Sequence, residues 1–94
     1  MTGVFDALSH PIRRAVLERL KHGGLTAGQL AADFDVSKPT MSGHFAKLKA
    51  AGLIRGEQQG GTILYTLNLS TLEEALLGFM GRVGLTHDSP GEEQ

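Results

Sequence analysis

Residues 37–53 read SKPTMSGHFAKLKAAGL, and this stretch restricts the fold more than any other in the chain. Met41, Phe45 and Leu48 recur at i, i+4 and i+7, which is one narrow stripe on an α-helix. Ser37 is a candidate N-cap and Gly52 a stop, so the helix has defined ends. Its start is open: Ser37 is the better cap, but Pro39 restricts Lys38 and could itself be the first helical residue. The other faces carry Lys38, Thr40, Ser42, His44, Lys47 and Lys49, with no acid. A helix buried along one edge and lined elsewhere by cations and small hydrogen-bonding groups is suited to lie against a polyanion, DNA first among them.

The flanking sequence supplies the setting. Residues 4–8 (VFDAL) predict a short helix. Ser9-His10-Pro11 restarts the chain, with Ser9 as cap and Pro11 in a first turn. Ile12, Ala15, Val16, Leu17 and Leu20 form the apolar side of a second helix, placing Arg13, Arg14, Glu18, Arg19 and Lys21 outside. Gly23-Gly24 ends it. Thr26-Ala27-Gly28-Gln29 is a capping box opening a short third helix, whose apolar side is Leu30, Ala31 and Phe34. In the turn Asp35-Val36-Ser37, Val36 is the residue expected to plug between two helices. Beyond Gly52, residues 53–58 and 62–67 read as strands around Gln59-Gly60-Gly61. Ser70-Thr71-Leu72-Glu73 is a further capping box, opening a fifth helix that reaches about Val83. The predicted fold is mainly α, an α+β winged helix-turn-helix: four helices, a two-stranded hairpin and a fifth helix. One domain covers residues 1–85, followed by an acidic tail, 86–94.

Charge is divided along the chain. Residues 1–56 hold eight of the nine Lys and Arg residues but four of the ten acids, so the net charge of −1 hides a basic N-terminal part. Taken alone, such a run can also be a solvated helix face. The fifth helix shows Leu72, Leu76, Phe79 and Val83 as one stripe, widened by Leu77 and Met80. That is more apolar surface than a helix touching one neighbour can bury. It either enters the chain's own core or meets a second copy. A chain of 94 residues is short enough for oligomerisation to help its core.

Several ordered segments resemble the ArsR/SmtB family of bacterial winged-helix repressors: Phe5-x-Ala7-Leu8-Ser9-x-Pro11-x-Arg13, Leu17-x-x-Leu20, Leu25-Thr26-x-x-x-Leu30-Ala31, Ser37-x-Pro39-Thr40-x-Ser42-x-His44-x-x-x-Leu48, Ala51-Gly52-Leu53-Ile54 and Tyr65-x-Leu67. The resemblance implies a homodimer in which the first and last helices pair, through Phe5, Leu8, Leu72, Leu76, Phe79, Met80 and Val83. It implies a double-stranded DNA operator read by the helix at 38–49.

On that helix Ser42 and His44 are expected to flank the exposed crest, with Thr40 and Ser42 reaching base edges or phosphates. His44 contacts DNA or packs on the neighbouring helix. Ser37, Lys38 and Pro39 sit at the helix N-terminus, where phosphate is favoured, and Lys47 should reach the backbone. Thr26 caps its helix and offers a hydroxyl to phosphate as a second role. Arg55, Gln58 and Gln59 lie on the wing. Two departures from the family stand out. Gly43 occupies a position where relatives often carry a large or basic side chain, and the wing tip has no cation, which predicts a shallow salt dependence.

Metal sensing, the family's best-known activity, is not expected. The chain has no cysteine, the fifth helix has no histidine or aspartate, and His10, His22, His44 and His87 give no ligand pair on one helix. No cofactor is expected, and no nucleophile or carboxylate pair points to an enzyme. No apolar run reaches membrane-span length, and no signal peptide follows Met1, so a cytoplasmic site is expected. The resulting reading is a homodimeric, autoregulatory repressor released by a small-molecule or protein effector. Its alternatives are a winged-helix interaction module without DNA binding, or a repressor of this fold with a non-standard metal site.

Overall fold

The computed structural model describes residues 3–84. The elements are α1 (Val4–Ala7), α2 (Pro11–Arg19), a 3-10 turn (Leu20–His22), β1 (Leu25–Thr26), α3 (Ala27–Ala31), α4 (Lys38–Ala50), β2 (Ile54–Gln59), β3 (Thr62–Leu67) and α5 (Leu69–Arg82). Helices and hairpin follow one another as the periodicity predicts, giving a winged helix-turn-helix. The acidic tail at 86–94 lies outside the described residues.

Local chemistry sets the helix ends. Pro11 is the first residue of α2 and holds His10 extended, so the cap is His10 and not Ser9. His10 Nδ1 accepts from the Ile12 N–H at 3.1 Å, while the Ser9 hydroxyl donates to the Asp6 carbonyl at 2.6 Å. The box opening α3 is complete: the Gln29 N–H donates to Thr26 Oγ1 at 3.1 Å and the Thr26 N–H to Gln29 Oε1 at 2.8 Å. Ser37 caps α4 through the Thr40 N–H at 3.2 Å, which makes Lys38 the first helical residue.

α4 ends in a Schellman motif. Gly52 takes φ 78°, the Leu53 N–H donates to the Leu48 carbonyl at 3.0 Å, and the Gly52 N–H to that of Lys49 at 2.9 Å. The left-handed Gly52 turns the chain sharply, so that Leu53 is buried beside Leu48. The box expected at Ser70 does not cap α5, which starts at Leu69 with Asn68 in the N-cap position. The Asn68 N–H pairs with the Leu53 carbonyl at 2.9 Å, and its side-chain amide donates to the Gly52 carbonyl at 2.9 Å. That pairing carries the sheet to residue 68 and leaves Ser70 inside the first turn.

The sheet order is β1-β3-β2, antiparallel throughout. β1 has two residues, too few for an alternating pattern to reveal it. β2 and β3 pair from Ile54↔Leu67 to Gln59↔Thr62. Gly56 lies opposite Tyr65, and a Cβ there would fall 3.0 Å from the Tyr65 ring, so the glycine makes room for the aromatic. Tyr65 in turn packs on Phe45 of α4, with ring centroids 4.8 Å apart.

The core joins Val16, Leu17 and Leu20 to Leu30, to Met41, Phe45 and Leu48, and to Leu53, Ile54 and Tyr65. Val36 does not plug the helix-turn-helix as expected: it is exposed, and Phe34 packs on the core in its place. α5 has no buried residue. Leu72 packs on the core, but Leu69, Leu76, Leu77, Phe79 and Val83 are exposed, as is Phe5, whose ring lies 5.3 Å from that of Phe79. Among the described residues no helix is long and apolar enough to cross a membrane.

Candidate nucleic-acid interface

Burying Met41, Phe45 and Leu48 fixes which way α4 faces. Lys38, Pro39, Thr40, Ser42, Gly43, Ala46, Lys47 and Lys49 are left exposed, and none of them is acidic. The Ser37 hydroxyl donates to Thr40 Oγ1 at 2.9 Å, setting two hydroxyls side by side at the helix entrance. Lys38 and Ser42 line a cleft of about 240 Å³ between α3 and α4, floored by Met41 and Phe45 and walled by Ala27, Gly28 and Ala31. A Cβ built on Gly43 meets nothing within 4 Å, so the crest of the helix is open backbone.

The remaining candidate residues divide into two groups. Thr26 is half-buried and already engaged in its capping box. Lys47 Nζ lies 3.2 Å from the Asp6 carboxylate, an exposed ion pair that ties α4 to α1. Such a pair is weak in water and leaves the lysine available to phosphate. Arg55, Gln58 and Gln59 are exposed on β2. The Gln58 amide folds onto the Gly60 carbonyl at 3.0 Å. Strand alternation puts Arg55, Glu57 and Gln59 on one face, so a carboxylate sits between the wing's cation and its tip.

His44 departs from the expected exposed crest. It is 8% exposed, and its Nδ1 lies 3.1 Å from Nη1 of Arg13. Arg13, expected on the outside of α2, is 7% exposed. Its Nε donates to the Ala7 carbonyl at 2.7 Å and its Nη2 to the Asp6 carbonyl at 3.1 Å. His10 completes the group, its ring centroid 4.4 Å from that of His44. Both residues could have been found from spacing. Arg13 stands three, four and seven residues before Val16, Leu17 and Leu20, and His44 stands three after Met41 and four before Leu48. Each occupies a core position on its helix, so a donor-only side chain and an acceptor were available to pair. Burial, then His10, then the Arg13 guanidinium hold the His44 imidazole below its usual pKa of 6.5. Burial pushes the Tyr65 phenol upward.

His10 and His44 are thus brought together from two elements. Among the described residues, however, no three His, Asp or Glu side chains converge as a metal site. Of the residues expected at a dimer contact, Phe5, Leu76, Phe79 and Val83 are exposed, and Leu8, Leu72 and Met80 are half-buried.

A helix-turn-helix whose second helix turns an acid-free polar crest outward, beside an antiparallel wing, is a winged helix-turn-helix DNA-binding domain. Residues 8–57 match the family model of a helix-turn-helix domain. Over 76 residues the chain is 42% identical to the transcriptional repressor SdpR of Bacillus subtilis, covering 81% of this chain and 84% of that protein. Over 64 residues it is 42% identical to the regulator Rv2034 of Mycobacterium tuberculosis, covering 68% of this chain and 60% of that protein. The solved structure of an ArsR family transcriptional regulator superposes with a TM-score of 0.77 at 33% identity, covering 90% of each chain. The chain belongs to the ArsR/SmtB family of winged helix-turn-helix transcriptional repressors. Its relatives and structural neighbours are transcriptional regulators, not enzymes.

Proposed function

We propose that the chain represses transcription as a homodimer on a pseudo-palindromic operator in the cytoplasm. Each protomer lays α4 into a major groove, and the wings lie on the flanking minor grooves. Two-fold symmetry then calls for half-sites about one helical turn apart, or a multiple of it. The observation that carries this reading is the exposed, acid-free face of α4, held rigidly by the buried Met41, Phe45 and Leu48. Thr40 and Ser42 read bases, while Lys38, Lys47 and Arg55 contact phosphates. Thr26, Ser37 and Pro39 set the backbone of the two helix entrances, and Gln58 and Gln59 meet the minor groove. With His44 turned inward, it leaves the set of base-reading residues.

The uncovered apolar face of Phe5, Leu76, Phe79 and Val83 supports pairing with a second copy. The relative named a transcriptional repressor supports repression. Occlusion of polymerase at the chain's own promoter is the proposed mode. Control independent of metal is supported by the donor set: no cysteine anywhere, and no histidine or aspartate on α5. Release then falls to a small molecule or a competing protein.

The test is a footprint and an anisotropy titration on the gene's upstream region at moderate salt. We expect a two-fold symmetric protected site, unchanged by zinc or a chelator and lost in the Thr40→Ala, Ser42→Ala double variant. Absence of any sequence-specific binding would exclude the repressor reading and favour an interaction module.

A further inference from the structure

We infer that Arg13 and His44 form a buried strut that positions the recognition helix, and that a proton on His44 releases it, so that acid weakens DNA binding. The inference rests on the DNA-binding reading above and adds a positioning pair and its regulation to it.

The geometry assigns the tautomer. Arginine has five donors and no acceptor. Its Nη1 lies 3.1 Å from His44 Nδ1, so Nδ1 is the unprotonated nitrogen and the neutral ring carries its proton on Nε2. The other two arms of the guanidinium hold the Ala7 and Asp6 carbonyls. These belong to the C-terminal end of α1, where a cation is favoured, and the Asp6 carbonyl also accepts from Ser9. One buried side chain therefore fastens α1, α2 and α4 together, and α4 is attached through His44.

A protonated imidazole has donors on both nitrogens. Nδ1–H would then face Nη1–H, two cations in contact with no acceptor between them. The surrounding groups do not neutralise this. From α1 the Asp6 carboxylate is exposed toward Lys47 of α4, at 3.2 Å, and makes no hydrogen bond or ion pair with Arg13 or His44. From the start of α2 come the Arg13 cation and the His10 ring, whose own Nδ1 is engaged by the Ile12 N–H. Burial first, and then the His10 and Arg13 charges, lower the pKa of His44. On protonation the ring must leave Arg13, and α4 loses its buried tie to α1.

The sign of the effect separates this device from ordinary electrostatics. Added histidine charge near DNA would tighten binding as pH falls. The strut predicts the opposite. Operator affinity is measured by anisotropy from about pH 7.5 to about pH 5.5, with circular dichroism at each point to follow folding. The wild-type chain should lose about ten- to a hundredfold in affinity, the size of one hydrogen bond to a charged group, with its helicity unchanged. His44→Asn places an amide oxygen near the position of Nδ1 and cannot titrate. It should bind as the wild type does at neutral pH and lose the acid effect. His10→Asn keeps an N-cap acceptor and should retain that effect. Affinity that rises or stays level on acidification, an acid loss undiminished in His44→Asn, or a loss that tracks unfolding would overturn the inference. A wild-type chain that binds no DNA at neutral pH would remove the DNA-binding reading itself, and the strut's role with it.

Discussion

At the scale of single residues, a buried arginine and histidine satisfy one another. Arg13 donates to two carbonyls of α1 and to His44, leaving neither side chain to face the core alone. Arg13→Ala strips a donor from three acceptors and should cost about 2–4 kcal/mol in urea unfolding. His44 gives stability a pH dependence of defined sign. Its folded pKa lies below the usual 6.5, from burial, then His10, then Arg13, so the unfolded chain takes up the proton first. The stability this site contributes is complete above about pH 6.5 and is lost as pH falls through the window below it, down to the depressed folded value. The urea midpoint should therefore drop between about pH 7.5 and about pH 5.5, and His44→Asn should reduce that drop.

At the scale of elements, α4 has a serine cap, a Schellman end and one uncompensated weakness, Gly43. Gly43 is helical and its Cβ position is empty, so Gly43→Ala should stabilise the fold by up to about 1 kcal/mol, read as a higher Tm. Gly43→Lys adds a cation to the crest and should steepen the salt dependence of DNA binding by about 0.9 in log–log slope. The wing has the opposite character: Glu57 lies between Arg55 and Gln59 on its face, which keeps its non-specific attraction to phosphate low. The C-terminal end of α4, the α3 capping box and the hairpin turn were legible in the sequence because each depends on residues within five positions of one another. The start of α4 is open in the sequence between Ser37 and Pro39, and the Thr40 N–H donating to the Ser37 hydroxyl decides it. β1 was not, since two residues carry no period. The start of α5 was misplaced because Asn68 is recruited to Leu53 and Gly52 across the fold.

At the scale of the whole molecule, the uncovered face of Phe5, Leu76, Phe79 and Val83 should decide the assembly. Phe79→Glu puts a charge on that face and should give monomers by light scattering, with weaker operator binding at equal protomer concentration. A dimer that persisted in this variant would place the contact elsewhere. The sequence by itself determined the order of elements, the buried edge of α4 and the surplus apolar stripe on α5, because period, caps and turn residues act over a few positions. Only the tertiary structure decided that Arg13 and His44, each at core spacing on its own helix, pair with one another, that Phe34 and not Val36 fills the helix-turn-helix, and that Asn68 joins the sheet to α5. Those outcomes depend on partners 31 residues away for Arg13 and His44 and 16 for Asn68 and Gly52, and pairings across such separations leave no local pattern in the chain.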